Sequence, residues 1–345
     1  MKLLVIRMSS LGDILLSLSF LESLPENVKV DWIVASEFAF VLNGHPKIDR
    51  VISFQKKQGL KGWIRLVREL SAEPYAARVD LHRTLRSRIA FVLFRLFDLK
   101  NLQRVPQYSI SKERLKALLN LTFKSSLPEG LRPTPFWMRF ARLALEVLPA
   151  PLRPIQPPSY LPVLKASSVD EETVLKKYDL RTKGYYGLMP ASRWASKEWG
   201  PGNYFELAVQ MKSTGLLPLL LGRETDFACQ ELRTKLQVAN IPFQSALAEP
   251  DFKKTAVLLK HAKFYVGGDT GLAHLAEAVG TPSHVIFGPT RPSLGFGPWR
   301  KESHSVFIPL ICSPCSKDGR TCYRFGDEYA CLRNLPVEDV RKALL

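Results

Sequence analysis

Short apolar runs alternate with helical patterns along this chain, and they do so in two separate series. In the first half, runs such as Leu3–Ile6 and Val28–Val34 are each followed by a segment of helical or mixed polarity. The alternation returns between Tyr185–Met189 and His284–Phe287. Strands that alternate with helices are typical of parallel βαβ units. The sequence therefore predicts an α/β protein with two Rossmann-like halves.

A proline-rich stretch separates the two series, with prolines at positions 149, 151, 154, 157, 158 and 162. Proline sustains neither a helix nor a central strand, so this stretch predicts an extended linker. At roughly 150 residues per domain, the 345 residues predict two domains. We place them at 1–150 and 169–335, with the linker at 151–168 and a C-terminal helix at 336–345. The pattern is mostly helical from Thr84 to Leu148.

The charge balance points to polyanionic partners. The chain has 49 Lys and Arg against 32 Asp and Glu, a net charge of +17, which suits nucleic acid, anionic lipid or phosphorylated substrates. The stretch Arg78–Arg142 holds fourteen basic and four acidic residues, and apolar side chains such as those of Phe91–Phe97 lie among them. This mixture favours an interfacial helix on anionic lipid. An amphipathic core helix with a solvated basic side explains any single helix equally well.

Three features predict a cytoplasmic protein, and the first of them, together with the basic stretch Arg78–Arg142, predicts peripheral association with the membrane. No apolar stretch approaches the roughly 18–20 residues of a membrane span. The opening Met1–Ile6 has neither the long apolar region nor the cleavage site of a signal peptide. Five cysteines are an odd number for a secreted disulfide framework.

Familiar catalytic and nucleotide-binding motifs are missing from the sequence. It contains neither G-x-G-x-x-G nor G-x-x-x-x-G-K-[ST], which disfavours a common dinucleotide-binding protein and a P-loop ATPase. H-E-x-x-H and G-x-S-x-G are also missing, which disfavours zincins and α/β-hydrolases. No two aspartates have D-x-D spacing, so a compact carboxylate pair for a divalent ion is not evident.

The segment Val266–His274 is the strongest candidate for an anion site, because it ends a strand and opens a helix. Gly267 and Gly268 permit close backbone approach, and the first free N–H groups of the helix can bind phosphate. The alternative is that Asp269 or Thr270 only caps the helix. A capped helix alone does not need the two preceding glycines, which favours the anion site.

Two further turns carry polar side chains. In Met189–Trp199, Lys197 could neutralise a departing diphosphate, although a solvated basic loop explains the segment about as well. In Ser9–Asp13, the carboxylate of Asp13 could act as a general base, although a helix-capping turn is by itself the more common arrangement.

The cysteines leave two interpretations open. Cys312, Cys315, Cys322 and Cys331 have a spacing that allows a zinc knuckle, but the second pair lacks C-x2-C spacing, so reduced thiols are favoured. Cys229 stands apart and is predicted to lie in the core.

Several of these segments together resemble a known family, the bacterial lipopolysaccharide heptosyltransferases of glycosyltransferase family 9. The resemblance runs in order along nearly the whole chain and rests on Ile6–Asp13, Ala191–Trp199, Gly268–His274 with Gly280–Pro282, and Phe287–Thr290. The Asp-Thr-Gly-x-x-His block at 269–274 is its most specific part. The cysteine-bearing tail is also similar to that of many members.

The resemblance implies a GT-B fold, in which two Rossmann-like domains with parallel sheets face each other across a cleft. It implies inverting, metal-independent transfer of heptose from ADP-heptose to the lipopolysaccharide inner core, on the cytoplasmic face of the membrane and with no cofactor. The implied partners are an ADP-sugar donor, a phosphorylated lipid-linked oligosaccharide acceptor and an anionic membrane surface, but no nucleic acid.

The resemblance also implies roles for residues. Asp13 is the implied base, and Lys197 contacts the diphosphate. The expected donor-binding residues are Ser192, Arg193, Gly222, Glu224, Asp269, Thr270, Gly271, His274 and Thr290. The expected acceptor-binding residues are Ser9, Ser10, Gly12, His82, Arg83 and Arg86.

Other functions remain open from the sequence. A family member could use another nucleotide sugar or acceptor. A basic nucleic-acid-binding protein belongs to a different class and would bind heparin without responding to nucleotides. A catalytically silent scaffold is a third alternative, although the joint presence of Asp13, Lys197 and Asp269 argues against it.

Overall fold

The computed structural model describes residues 1–100, 104–152, 163–164 and 170–345. The chain forms two compact units. The first comprises Met1–Lys112 and Phe136–Ala166, and the second comprises Glu113–Pro135 and Ser167–Leu345. The predicted linker at 151–168 lies largely outside the described residues, and the predicted domain limits stay predictions.

Both units consist of strands and helices that alternate along the chain. In the described residues the strands are β1 (Lys2–Ile6), β2 (Lys29–Ala35), β3 (Ile48–Phe54), β4 (Ala77–Asp80), β5 (Gln107–Ser109), β6 (Tyr185–Met189), β7 (Leu217–Leu220), β8 (Gln244–Ser245), β9 (Tyr265–Gly268), β10 (Ser283–Ile286) and β11 (His304–Val306). The α-helices there are α1 (Leu11–Glu22), α2 (Gly59–Ser71), α3 (Leu85–Lys100), α4 (Arg114–Phe123), α5 (Phe136–Val147), α6 (Glu171–Lys177), α7 (Pro201–Met211), α8 (Phe227–Val238), α9 (Phe252–His261), α10 (Gly271–Ala278), α11 (Ala330–Arg333) and α12 (Val337–Leu344).

The first unit holds a five-stranded sheet in the order β3-β2-β1-β4-β5, and its paired strands are parallel. In the register, Ile6 at the end of β1 lies opposite Ile33 on one side and Asp80 on the other. The carboxyl ends of these strands therefore meet at one edge, which is where ligands bind in sheets of this kind. The turn after β1 and the loop after β4 start from that edge.

The second unit holds a six-stranded sheet in the order β11-β10-β9-β6-β7-β8, again with parallel pairing. β9 is paired with β6 on one side and with β10 on the other. Three candidate segments of this half lie at the carboxyl ends of β6, β9 and β10, namely Ala191–Trp199, Gly268–His274 and Phe287–Thr290. The prediction of an α/β fold with two parallel sheets is confirmed.

Burial explains why the central strands consist of uninterrupted apolar residues. All four residues of Leu3–Ile6 are fully buried, as are Leu219 and Val266 in the second sheet. Parallel sheets are covered by helices on both faces, so their strands lack the polar alternation of a half-exposed strand. Cys229 is also fully buried and packs in the core of the second unit, as predicted.

Two features of the middle of the chain were not predicted from the sequence. β5 lies inside the stretch that was predicted to be mostly helical, where its three residues are too few to show a pattern. The segment Glu113–Pro135 belongs by its contacts to the second unit, although the sequence analysis placed it within 1–150. Within that unit, Asn120 Nδ2 donates to the carbonyl oxygen of Ser293 over 3.3 Å. Such long-range contacts leave no local pattern in the sequence.

Candidate functional site

Asp13 lies on the first turn of α1, directly after β1, and its carboxylate has two partners. Its Oδ1 is 2.7 Å from Nη2 of Arg7. Its Oδ2 accepts hydrogen bonds from the Ser10 amide over 3.2 Å and from the Ser10 hydroxyl over 3.0 Å. The side chain of Asp13 is 27% exposed. The carboxylate is thus fixed in place on a side chain that stays partly exposed.

Arg7 keeps Asp13 ionised. Burial raises the pKa of Asp13, but the Arg7 guanidinium and the Ser10 hydrogen bonds outweigh that effect, so the pKa lies below its ordinary value. Arg7 is itself buried, and its Nη1 donates to the carbonyl oxygen of Leu81. A helix cap accounts for the Ser10 contacts but needs no buried arginine. This arginine was not among the predicted site residues.

A cavity of about 540 Å³ lies beside this turn in the first unit. Three predicted acceptor residues line it, namely Ser9, His82 and Arg86. The other lining residues are Met8, Ala35, Phe54, Leu60, Thr84, Leu85 and Ile89. The cavity therefore combines an apolar wall with a few polar groups, which is the usual make-up of a small-molecule site.

His82 is neutral in this cavity. Burial, with a contribution from the nearby Arg7, lowers the pKa of His82 to about 4. Its Nδ1 accepts from the Met8 amide over 3.4 Å. The neutral ring therefore carries its proton on Nε2, which can donate a hydrogen bond to a ligand.

The other predicted acceptor residues are not all at the cavity wall. The guanidinium of Arg86 lies 5.4 Å from the centre of the Phe54 ring at the cavity wall. Arg83 does not line the cavity, and its Nη1 donates to the carbonyl oxygen of Ile110 over 3.0 Å. Gly12 is buried within α1, and the Ser10 hydroxyl is bound to Asp13.

In the second unit, Lys197, Asp269 and Thr290 meet at the carboxyl edge of the sheet. Nζ of Lys197 lies 2.6 Å from Oδ2 of Asp269 and donates to the Asp269 carbonyl oxygen over 3.1 Å. The Thr290 hydroxyl donates to the same Oδ2 over 3.0 Å. The lysine and aspartate side chains are each 13% exposed. The structure thus brings together residues that follow three adjacent strands.

The two glycines before Asp269 allow this close approach. A Cβ at Gly268 would lie 3.1 Å from the carbonyl oxygen of Lys197, and one at Gly267 would collide with the Tyr265 hydroxyl. A side chain at Gly268 would therefore crowd the backbone of the lysine segment, whereas one at Gly267 would displace the Tyr265 ring and crowd the Met189 carbonyl oxygen. The role of the glycine pair in an anion site stays a prediction.

Helix α10 begins at Gly271, immediately after this cluster, with Thr270 at its N-cap position. The Thr270 hydroxyl lies 3.3 Å from the Tyr265 hydroxyl, and the Asp269 carboxylate contacts Lys197. All residues of this helix are described, and neither Thr270 nor Asp269 makes a side-chain hydrogen bond that caps it. The alternative, in which one of these residues only caps the helix, requires such a bond. An uncapped helix N-terminus presents backbone N–H groups and a positive dipole end to an anion.

His274 lies one turn into α10 and is only 7% exposed. Its ring stacks on the indole of Trp299, with ring centres 5.8 Å apart and an angle of 10° between the planes. Trp299 was not a predicted site residue.

The other predicted donor residues have local partners. The Ser192 amide donates to Oε1 of Glu198 over 2.9 Å, and Arg193 lies 5.3 Å from the centre of the Trp194 ring. Glu224 forms an ion pair with Arg233 over 2.5 Å. Gly222 has a φ of +137°, and a Cβ there would lie 2.6 Å from the Cys229 sulfur.

The cysteine-bearing segment packs against the Lys197 cluster, which the sequence did not predict. The Ser196 hydroxyl donates to the carbonyl oxygen of Gly319, and the Cys315 amide donates to that of Pro289 over 2.8 Å. A Cβ at Gly319 would lie 3.3 Å from Cγ of Lys197. The segment therefore packs against the lysine side chain as well as against Ser196.

All five cysteines are free thiols. Burial, with smaller contributions from neighbouring groups, raises the pKa of Cys315 to about 11 and that of Cys331 to about 12. Among the described residues, no group of three His, Cys, Asp or Glu side chains has a geometry that could hold a metal ion.

The family model of glycosyltransferase family 9 (heptosyltransferase), which describes the sequences of that family, matches residues 38–323 of this chain. The chain belongs to this family. The resemblance stated from the motifs is confirmed.

Relatives of the whole chain point to the same family. The chain is 25% identical to lipopolysaccharide heptosyltransferase 1 of Salmonella typhimurium over 317 residues, which cover 86% of this chain and 92% of that protein. Two solved structures share its GT-B fold at 20% identity. E. coli heptosyltransferase WaaC with ADP-2-deoxy-2-fluoro heptose has a TM-score of 0.67 and coverage of 99% and 98%. E. coli ADP-heptose lps heptosyltransferase II has a TM-score of 0.70 and coverage of 100% and 97%.

Proposed function

We propose that this family 9 protein transfers heptose from ADP-heptose to the inner core of lipopolysaccharide, with inversion at the anomeric carbon. The observation that carries the proposal is the Lys197–Asp269–Thr290 cluster at the N-terminus of α10. The name of the Salmonella relative and the sugar nucleotide in the E. coli WaaC structure support this choice of acceptor and donor.

The second unit would bind the ADP moiety of the donor. The free N–H groups of α10 are suited to one phosphate, and the Lys197 ammonium is suited to the other as a point charge. Asp269 positions that ammonium through an ion pair of 2.6 Å. As the glycosidic bond breaks, both groups would stabilise the negative charge that develops on ADP. We propose that they serve in place of a divalent ion, in keeping with the missing D-x-D spacing.

The first unit would supply the base. Asp13 is ionised, fixed by Arg7 and partly exposed, so it can accept a proton from an acceptor hydroxyl. Attack of that hydroxyl in line with the departing ADP inverts the anomeric centre through an oxocarbenium-like transition state. We assign the cavity lined by Ser9, His82 and Arg86 to the phosphorylated acceptor.

A thermal-shift screen of ADP, UDP and GDP tests the donor assignment. A ligand that binds only the folded state adds about 2.7 kcal/mol of stability at one hundred times its Kd. We expect ADP and ADP-heptose to raise Tm more than the other two diphosphates. A preference for UDP or GDP would indicate another nucleotide sugar. Retention on heparin with no nucleotide response would favour the nucleic-acid-binding alternative.

Replacing Arg7 with Gln should move the acidic limb of the pH profile. The folded enzyme holds the pKa of Asp13 low, so the base stays ionised until the solution is quite acidic. Without the guanidinium, the pKa of Asp13 rises. On acidification, kcat/KM therefore begins to fall at a higher pH than in the wild type. The measurement is kcat/KM against pH, with Arg50→Gln as the control, since Arg50 pairs with the buried Asp31 instead. Identical acidic limbs for Arg7→Gln and the wild type would contradict the role of Arg7.

We also propose that the protein associates peripherally with the cytoplasmic face of the membrane. None of the described helices combines the length and apolar character needed to cross a bilayer. Helices α2 and α3 pack together through a hydrogen bond of 3.0 Å from the Trp63 indole to the Arg86 carbonyl oxygen. Their exposed apolar side chains are Leu60, Ile64, Leu85, Val92, Leu96 and Leu99.

Basic residues lie among these apolar side chains. The exposed basic residues of the two helices, among the described side chains, are Lys61, Arg65, Arg68, Arg88 and Arg95. We call these apolar and basic residues the α2–α3 surface. A mixture of this kind suits an anionic lipid interface. Leu60 and Leu85 also line the cavity, so the cavity opens beside this surface and could receive an acceptor from the membrane.

The double variant Arg65→Gln/Arg88→Gln should bind anionic vesicles about thirtyfold more weakly, because each basic residue near such a surface contributes about 1 kcal/mol. Sedimentation with phosphatidylglycerol vesicles measures this, and high salt should weaken the wild-type binding as well. The matched control is Arg181→Gln/Lys212→Gln, whose residues are exposed in the second unit. Equal losses in both double variants would show that net charge, and not the α2–α3 surface, governs binding.

A further inference from the structure

Glu277, near the end of α10, is fully buried and gathers hydrogen bonds from a distant part of the second unit. Its Oε2 accepts from the amides of Trp299 and Arg300, over 2.7 and 2.9 Å. Its Oε1 accepts from the Ser283 amide over 3.2 Å and from the Ser303 hydroxyl. Its carbonyl oxygen accepts from Nε of Arg300 over 2.8 Å.

Four hydrogen bonds converge on the two side-chain oxygens of Glu277, an arrangement that suits a carboxylate. A buried carboxylate is costly unless its oxygens accept hydrogen bonds, and here each oxygen accepts two. A glutamine would turn its NH₂ group either toward two backbone N–H donors, of Trp299 and Arg300, or toward the Ser283 N–H and the Ser303 hydroxyl, of which only the hydroxyl can accept. Glu277 therefore fixes the loop 297–303 to α10 at a defined position.

The loop that Glu277 holds carries Trp299, and Trp299 stacks on His274. The imidazole lies one turn from Gly271, where α10 begins next to the Lys197–Asp269 pair. The indole and the imidazole lie nearly parallel in an offset stack, a contact that favours one orientation of the imidazole plane. A chain of contacts thus leads from Glu277 through Trp299 to the donor end of the helix.

We propose that Glu277 and Trp299 are positioning residues for the donor, which hold His274 in the orientation that binds the ADP moiety. The inference rests on the proposed function, since it takes α10 to be the donor helix. Neither residue needs to contact the ligand. A purely structural role predicts instead that their replacement lowers the melting temperature and leaves nucleotide affinity unchanged.

The test measures the Kd of ADP by calorimetry, well below the melting temperature of each variant. We expect Trp299→Leu and Glu277→Gln each to weaken ADP binding about 3- to 10-fold, and Trp299→Phe to restore most of the affinity because a benzene ring can still stack. The control is Glu249→Gln, which removes another carboxylate that holds a loop, through the Asp251 amide and the Tyr178 hydroxyl.

The outcomes separate the two proposals. If the wild type does not bind ADP, the donor assignment fails. If the wild type binds and Trp299→Leu binds within twofold of it, the positioning proposal is overturned, whatever Glu277→Gln does. If Glu277→Gln does not fold, the comparison of Trp299→Leu with Trp299→Phe decides, because only a role for the stacked ring separates these two variants. Equal losses in Glu249→Gln would also overturn the proposal.

Discussion

Replacing Asp13 with Asn should lower kcat by about 10²–10⁴-fold, the usual range for the loss of a positioned general base. The amide keeps the shape of the side chain and can still accept from Ser10, but it cannot take a proton from the acceptor. Because the base acts mainly in the transition state, the Kd of the donor should stay nearly unchanged. Steady-state turnover and donor titration on the same purified variant measure both quantities.

The control for this variant is Asp251→Asn. Asp251 is the N-cap residue of α9 and accepts from the Lys253 amide over 2.9 Å, so its carboxylate also binds a backbone N–H at a helix N-terminus, but without a buried arginine. We expect near-normal turnover in the control. If Asp13 only caps α1, its replacement costs at most about 1 kcal/mol of stability and turnover remains within a few-fold of the wild type. That result would remove Asp13 as the base.

Replacing Lys197 with Ala should weaken the binding of ADP and of ADP-heptose alike, by about 10- to 100-fold. A charge-assisted hydrogen bond contributes roughly 1–3 kcal/mol. The truncation also leaves the Asp269 carboxylate without its cation beside the phosphates, which adds repulsion. Calorimetric titration of the variant with both ligands measures the effect.

Lys177→Ala provides the matched control, since Lys177 pairs with Glu249 over 2.8 Å in the same unit. It removes an equal charge and also breaks an ion pair, so net charge alone would affect both variants equally. Unchanged ADP affinity in Lys197→Ala would refute the assigned phosphate contact. A loss for ADP-heptose alone would assign Lys197 to the sugar.

The sequence contains enough local information to predict the sheets and the turns that follow their central strands. Uninterrupted apolar runs mark the buried strands, and the turn at Ser9–Asp13 and the block at Asp269–Gly271 carry polar residues directly after them. In a parallel sheet, the carboxyl ends of neighbouring strands share an edge, so the apolar pattern alone assigns each turn to that edge of its sheet. The meeting of Lys197 with Asp269 follows from the adjacency of β6 and β9.

Contacts that depend on distant parts of the chain could not be predicted in this way. Arg7 and Asp13 are only six residues apart, and a basic residue directly after β1 could have indicated their pairing. The burial of Arg7, however, also involves α5, because its guanidinium lies against the Phe140 ring. The packing of Gly319 against Lys197 joins segments more than one hundred residues apart. Glu277 looks like an ordinary helical glutamate in the sequence, and only the fold reveals the four hydrogen bonds of its carboxylate.

Incubating the purified protein with ADP-heptose and a heptose-deficient lipopolysaccharide acceptor tests the proposed transfer directly. Mass spectrometry of the acceptor should show the gain of one heptosyl residue with release of one ADP. NMR of the product should show the anomeric configuration inverted relative to that of the donor. The Asp13→Asn variant should give almost no product in the same time. An unchanged acceptor with intact ADP-heptose, under conditions where the protein binds ADP, would contradict the proposed activity.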